Sequence, residues 1–238
     1  MFCIVPLAGP DFHHPSYGTK PFVRIDGKSL IESTIGARPW LLSGQLQTRN
    51  IVFVLRDTAQ TPEAIERLGA LFPGCAWVVV SKMTAGALLS ALAGAALQRH
   101  FESPLVIDLA DIIYDSDIGE ISMSASEVGG AIPWFRASDP AYSYLRIENG
   151  TVTETREKVV ISEHASAGTY FFRNLAVFID AVAAAAAHPE RYNVGQSIFV
   201  CPVYNVLIAK GWHIAQFEVR NPIAVSKRFH DSAIQETT

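Results

Sequence analysis

Long apolar runs, an excess of basic charge and paired cysteines are all missing from this sequence, and each absence excludes a class of protein. No apolar stretch approaches the roughly 20 residues that a membrane-spanning helix needs, so such a helix is excluded and no membrane partner is expected. Lys and Arg total 19 against 23 Asp and Glu, a formal charge of −4. A general nucleic-acid binder shows a basic face or stripe instead, and no nucleic-acid partner is expected. A few local cations and a metal ion can still hold a phosphate. The three cysteines, Cys3, Cys75 and Cys201, are scattered through apolar contexts without the spacing of a metal site. They read as buried, reduced thiols. Met1 to Ala8 is apolar but lacks the basic start and the length of a secretory signal, so the expected compartment is the cytoplasm. Composition leaves a homo-oligomer open.

What is present is core-forming material. Hydrophobic residues make up 49% of the chain and charged residues 18%, which argues against disorder. At 238 residues one large core suffices, and residues 1–238 read as a single domain. Phe2 to Leu7, Ile51 to Leu55, Ala76 to Val80 and Leu105 to Leu109 are short runs apolar on both faces. Between them lie a helix capped by Ser29 and running to about Ala37, one opened by Thr61-Pro62-Glu63, and one over Ala85 to Gln98. Such alternation predicts a parallel sheet covered by helices. From Gly129 the pattern turns antiparallel. Ala131 to Phe135, Tyr142 to Glu148 and Thr151 to Arg156 are predicted strands, with a turn at Asn149-Gly150. A strand over Thr169 to Arg173 follows. Asn174 then caps a helix ending near His188, Tyr204 to Lys210 closes another before Gly211, and His213 to Val219 is a last strand.

In open α/β sheets ligands bind beyond the carboxyl ends of the strands. The loop after the first strand is therefore the place to look for chemistry. It holds Gly9 and Gly18, which let the backbone approach a phosphate, and Lys20, a point cation. The second pointed feature is Asp108-Leu-Ala-Asp111. Carboxylates at the end of a buried strand must be bonded, paired or bound to metal. Residues three apart cannot face the same side of a strand, so one aspartate points into the site and the other caps the following turn. Asp111, nearer the strand's end, is the candidate metal ligand. His13-His14 reads as solvated loop, because adjacent histidines make a poor chelate. Trp40, Trp77, Trp134 and Trp212 read as core or interface, and Arg136 and Tyr144 as ordinary strand positions or acceptor-pocket residues.

Taken in order, these residues carry a resemblance. Val5-Pro-Leu-Ala-Gly9, Lys20-Pro21 and Ile25-Asp-Gly-Lys-Ser-Leu-Ile-Glu32 resemble the opening of the sugar-phosphate nucleotidylyltransferases, P-x-A-G-x-G-[ST]-R-F…P-K-P…V-x-G-K-P-[ML]-I. Thr84-Ala-Gly-Ala87 is similar to the family's T-E-G-A segment, and Leu109-Ala-Asp111 to the segment that ends in its metal-binding aspartate. Glu157-Lys158 and Ser162 to Phe172 resemble the E-K-P…S-x-x-A-x-x-G-x-Y-[FY]-F region. Pro202 to Ile208 is similar to a late segment of relatives from capsule and surface-sugar synthesis. The series covers nearly the whole chain.

The resemblance implies a Rossmann-like, GT-A-like three-layer α/β fold with a mixed central sheet. It implies a nucleoside triphosphate and a sugar 1-phosphate as substrates, with Mg²⁺ as cofactor. Ala8 and Gly9 would lie under the nucleotide, Lys20 would act on charge around the transferred phosphorus, and Asp111 would hold the metal. Thr84 and Gly86 would meet the base or ribose, Glu157 and Lys158 would grip the sugar phosphate, and Gly168 would leave room for the sugar. Two departures stand out. Gly9 is followed by Pro10-Asp-Phe-His-His14 in a shorter loop, without the second glycine or the arginine that clamps the triphosphate. The family's closing segment is also absent, which leaves Asn205 and Asp231 as alternatives for a second metal ligand. A non-catalytic nucleotide or sugar-phosphate binder is the alternative function. A glycosyltransferase would use Asp115-Ser-Asp117 as its D-x-D motif, a weaker match than Asp111.

Overall fold

A computed structural model of the chain describes residues 1–118, 123 and 125–225. Ser226 to Asp231, and with it the proposed ligand Asp231, lies outside the described residues. The main strands are β1 (Phe2–Pro6), β2 (Ile51–Arg56), β3 (Ala76–Val80), β4 (Leu105–Asp108), β5 (Ile112–Asp115), β6 (Val128–Arg136), β7 (Ser143–Glu148), β8 (Thr151–Glu157), β9 (His164–Ser166), β10 (Thr169–Phe172), β11 (His213–Glu218) and β12 (Arg220–Ala224). All but β5 and β12 join one sheet in the order β8-β7-β9-β6-β10-β4-β1-β2-β3, with β11 alongside β6. β1 to β4 run parallel. β10 lies antiparallel between β4 and β6 and marks the change to the mixed half.

Alternation along the parallel strands builds the two outer layers. Phe2 and Ile4 of β1, with Val52 and Val54 of β2, face one core. Helices α3 (Ala87–Ala95), α4 (Leu175–Ala187) and α5 (Tyr204–Ala209) cover it. Cys3, Val5, Ile51, Phe53 and Leu55 face the other, beneath α2 (Thr61–Leu71) and the segment around Trp40. Both faces of these strands are therefore dry, as their uninterrupted apolar runs require. All three cysteines are free and buried. Among the described residues no helix is long and apolar enough to cross a membrane.

Three expectations change in detail. The helix capped by Ser29 keeps its capping box with Glu32, yet α1 spans only Leu30–Ser33. Thr34 leaves helical geometry, a 3-10 turn covers Ile35–Ala37, and Arg38 is extended. Pro39 accounts for the extended Arg38, because its ring disfavours a helical residue before it, while the break at Thr34 comes five residues earlier. Thr61 does not cap its own helix. Gln60 holds that place, while the Thr61 hydroxyl donates to the Arg56 carbonyl at 2.5 Å and accepts from the Thr58 N–H at 3.0 Å. Strand β3 is an edge strand rather than one buried on both faces, so Trp77 is 45% exposed. The pairing of β5 with β12 was not foreseen.

Candidate active site

β1 and β4 are neighbours, so their carboxyl ends bring the loops after Leu7 and Leu109 together. Between them opens a cleft of about 700 Å³, lined by Ala8, Gly9, Lys20, Thr84, Gly86, Asp111 and Lys158 among others. Residues far apart in sequence thus meet at one place.

Lys20 is the centre of it. Its side chain is 10% exposed and its ammonium donates to Asp111 Oδ1 at 2.5 Å and to Asp11 Oδ2. Burial works to lower the Lys20 pKa, but the carboxylates of Asp111 and Asp11 outweigh it and hold the ammonium charged. Burial pushes the Asp111 carboxyl up, and Lys20 offsets only part of that rise. Asp11 was seen in the sequence only as loop material. No local spacing marks it, because the chain returns to Lys20 through a short hairpin pairing His13–His14 with Gly18–Thr19. Gly18 serves that hairpin with φ +78 and is not among the cleft-lining residues. His14 stacks on Tyr17 with ring centroids 5.1 Å apart, and both line the cleft.

Asp108, the last residue of β4, and Asp111 beyond it do different work. Asp108 is buried and accepts the Ala110 N–H at 2.9 Å, capping a turn in which Ala110 takes φ +54. Arg38 donates to it through Nε at 2.7 Å and Nη2 at 3.1 Å, and Thr169 Oγ1 adds a third partner at 3.0 Å. The turn so fixed presents Asp111 to Lys20.

On the far wall Gly86 caps α3 with φ +107. A Cβ there would overlap the Ile198 carbonyl oxygen, because the 193–198 hairpin lies against it and the Ile198 N–H donates to Ala85. Gly86→Ala is expected to cost about 1–3 kcal/mol, since it combines a left-handed backbone with a backbone collision. A denaturation curve matching the parent would remove that account. Thr84 Oγ1 bonds the Ser90 hydroxyl at 2.6 Å and the Gly86 carbonyl at 3.1 Å, so its place is fixed before any ligand arrives.

Of the acceptor-side candidates only Lys158 lines the cleft, with Nζ 5.2 Å from the Phe199 ring centroid. Glu157 turns its carboxylate to the Ser143 hydroxyl, and burial pushes its pKa up. Gly168, with φ +74, accepts the Leu109 N–H with its carbonyl and stands behind the turn rather than on the cleft wall. Asn205 is corrected as a metal ligand. Its amide accepts the Thr155 N–H at 2.9 Å and donates to the Thr155 carbonyl at 2.8 Å, both bonds holding β8. Arg136 pairs with Glu163 and Glu218, and Tyr144 donates to the Asp139 carbonyl, so neither lines the cleft. Asp115 accepts from Asn221 and Asp117 pairs with Arg220, also outside the cleft lining.

For a divalent cation the cleft offers the carboxylates of Asp11 and Asp111, hard oxygen donors of the kind Mg²⁺ prefers. Among the described residues no group of three or more His, Cys, Asp or Glu is arranged to hold a metal. Two carboxylates suit Mg²⁺ nonetheless, because it keeps several waters and takes the remaining oxygens from phosphate.

No protein-family model matches the chain, and no curated protein sequence matches it. Solved structures do. A nucleoside-diphosphate-sugar pyrophosphorylase from Vibrio cholerae superposes with a TM-score of 0.78 at 18% identity, covering 97% of this chain and 98% of that one. An inositol-1-phosphate CTP transferase from T. maritima gives a TM-score of 0.69 at 15% identity, with 93% and 86% covered. A UDP-glucose pyrophosphorylase complexed with UDP-glucose gives 0.63 at 17% identity, with 94% of each covered. At such identities the likeness establishes the fold, a mixed α/β Rossmann-like nucleotidyltransferase fold.

Proposed function

We propose that this chain, as one domain over residues 1–238, is a cytoplasmic nucleotidylyltransferase. It would transfer a nucleoside monophosphate from a nucleoside triphosphate to a sugar 1-phosphate or similar small phosphate, releasing pyrophosphate. The observation that carries the reading is Lys20, a buried ammonium between two carboxylates beside Gly9, at the carboxyl ends of parallel strands. A buried cation beside a glycine backbone suits a phosphate, and few other ligands need both.

In this reaction a phosphate oxygen of the sugar attacks the α-phosphorus in line and the pyrophosphate leaves from the opposite side. The protein forms no covalent bond, so its task is to position the reactants and neutralise growing charge. Ala8 and Gly9 would underlie the nucleotide, and Lys20 would bear on the transferred phosphoryl oxygens. Thr84 and Gly86 would flank the base or ribose. Lys158 would meet the sugar phosphate and Glu157 a sugar hydroxyl once it leaves Ser143, while Gly168 would act from behind, through the turn at Leu109. Asp111 would hold Mg²⁺, which supplies charge neutralisation to the phosphate oxygens.

The test is pyrophosphate release with the four common triphosphates, Mg²⁺ and a panel of hexose, heptose and amino-sugar 1-phosphates. Asp111→Asn is expected to lose most turnover while its Tm stays level or rises, because Asp11 still pairs with Lys20 and a carboxylate raised by burial is removed. An unaltered rate in that variant ends the metal assignment. The acid at position 11, where relatives in the resemblance carry glycine, favours a second reading as a non-catalytic binder. That reading takes over when no combination turns over yet a nucleotide or sugar phosphate still binds at Lys20.

A further inference from the structure

The chain folds over itself at Gly9. Pro10–Phe12 form a single 3-10 turn that starts from Gly9 and carries the Asp11 side chain back across it. A Cβ at Gly9 would lie 2.7 Å from Asp11 Oδ1, so that oxygen rests against the glycine. The other oxygen, Oδ2, takes the Lys20 ammonium. One carboxylate thus spans the glycine and the buried cation, the two features assigned above to a phosphate.

We propose that Asp11 is an internal anion seated where a ligand phosphate would sit, and that it must leave Lys20 for the phosphate to enter. Asp11 then sets the affinity threshold of the cleft for anionic ligands. This rests on the phosphate reading of the cleft.

Charge and exposure support the role. Lys20 and Lys158 are the Lys and Arg residues among the cleft-lining residues, and Asp11 and Asp111 are the carboxylates. With Asp11 in place the cations are matched, and an incoming polyanion finds no surplus of positive charge. With Asp11 turned outward the ammonium has a vacant face. Asp11 is also the partner able to move. Its side chain is 50% exposed, against 32% for Asp111 and 10% for Lys20. The Tyr17 hydroxyl donates to the Asp11 carbonyl at 3.1 Å, which fixes the backbone of the turn and leaves the carboxylate to rotate into solvent.

The measurement is calorimetric binding of inorganic pyrophosphate, without divalent metal, to the parent chain, Asp11→Asn, Asp11→Ser and the double variant Asp11→Asn/Lys20→Ala. Asp11→Asn is expected to bind at least ~10-fold more tightly than the parent, about 1.4 kcal/mol. Asp11→Ser should follow it, and the double variant should lose the gain, because the gain acts through Lys20. Equal or weaker binding in folded Asp11→Asn and Asp11→Ser, with the parent binding normally, overturns the role of Asp11 and leaves the phosphate site standing. A gain that survives the loss of Lys20 overturns it as well. No binding by any of the four proteins removes the phosphate site and this proposal together.

Discussion

In Lys20→Ala, kcat for nucleotidyl transfer is expected to fall by at least ~100-fold, about 2.7 kcal/mol of lost transition-state stabilisation, while KM changes less. Phosphoryl chemistry develops its extra charge on the oxygens around the transferred phosphorus, so a point cation there matters more at the transition state than in the ground state. Lys20 is suited to that part because its position is settled beforehand. Its side chain is nearly buried, and two carboxylates hold the ammonium at the mouth of β1 and β4. The same contacts complicate the variant, since alanine leaves Asp11 and Asp111 facing each other without a cation. Lys20→Arg keeps the charge and serves as a control for folding. A fork of planar donors cannot occupy the same point as an ammonium, so activity is expected to recover only in part. The check is a steady-state assay of pyrophosphate release at saturating and limiting triphosphate. A Lys20→Ala protein with the parent's kcat would remove the lysine from the mechanism.

The features legible in the sequence were those whose signal is local. Phe2–Pro6, Ile51–Arg56 and Leu105–Asp108 are apolar on both faces, and that pattern already requires a covered parallel sheet. Lys20 and Asp111 were singled out from the segments that follow β1 and β4, and the structure brings their side chains together. Asn174 announced its cap, and its side chain accepts the Val177 N–H at 3.0 Å. Less could be read where the partner is remote. Ile112–Asp115 finds its mate in Arg220–Ala224, some hundred residues on, and neither short run declares itself alone. Trp77 reads as core or interface in the sequence, but its exposure depends on β3 being last in the sheet, which is a property of strand order. Asp11 lay in a stretch whose composition says only loop. Its contact with Lys20 depends on the hairpin that returns the chain. Glu157 and Gly168 do not line the cleft, and their polar groups turn to Ser143 and to Leu109.

Arg38 is the strongest instance of a residue that sequence reading passes over, and its replacement is expected to have the largest effect on stability. A charged residue before a proline ordinarily belongs to the surface. Here Pro39 holds Arg38 extended, and its guanidinium enters the core with 2% exposure, against a carboxylate that is 1% exposed. Besides Asp108 it donates to the Ile112 carbonyl at 3.1 Å and lies 3.9 Å from the Tyr114 ring centroid. It therefore grips both flanks of the turn that carries Asp111. Arg38→Met removes the partner and leaves the charge of Asp108 buried, a loss that typically costs about 3–5 kcal/mol. Adding Asp108→Asn to Arg38→Met removes the uncompensated charge, and the amide oxygen can still accept the Ala110 N–H. The double variant should therefore regain part of the loss at neutral pH, and the two substitutions should be strongly non-additive. Denaturant unfolding of the four proteins at pH 7 measures all of this. A cost under ~1 kcal/mol for Arg38→Met, or simple additivity in the double variant, would show that Arg38 does not balance the charge of Asp108.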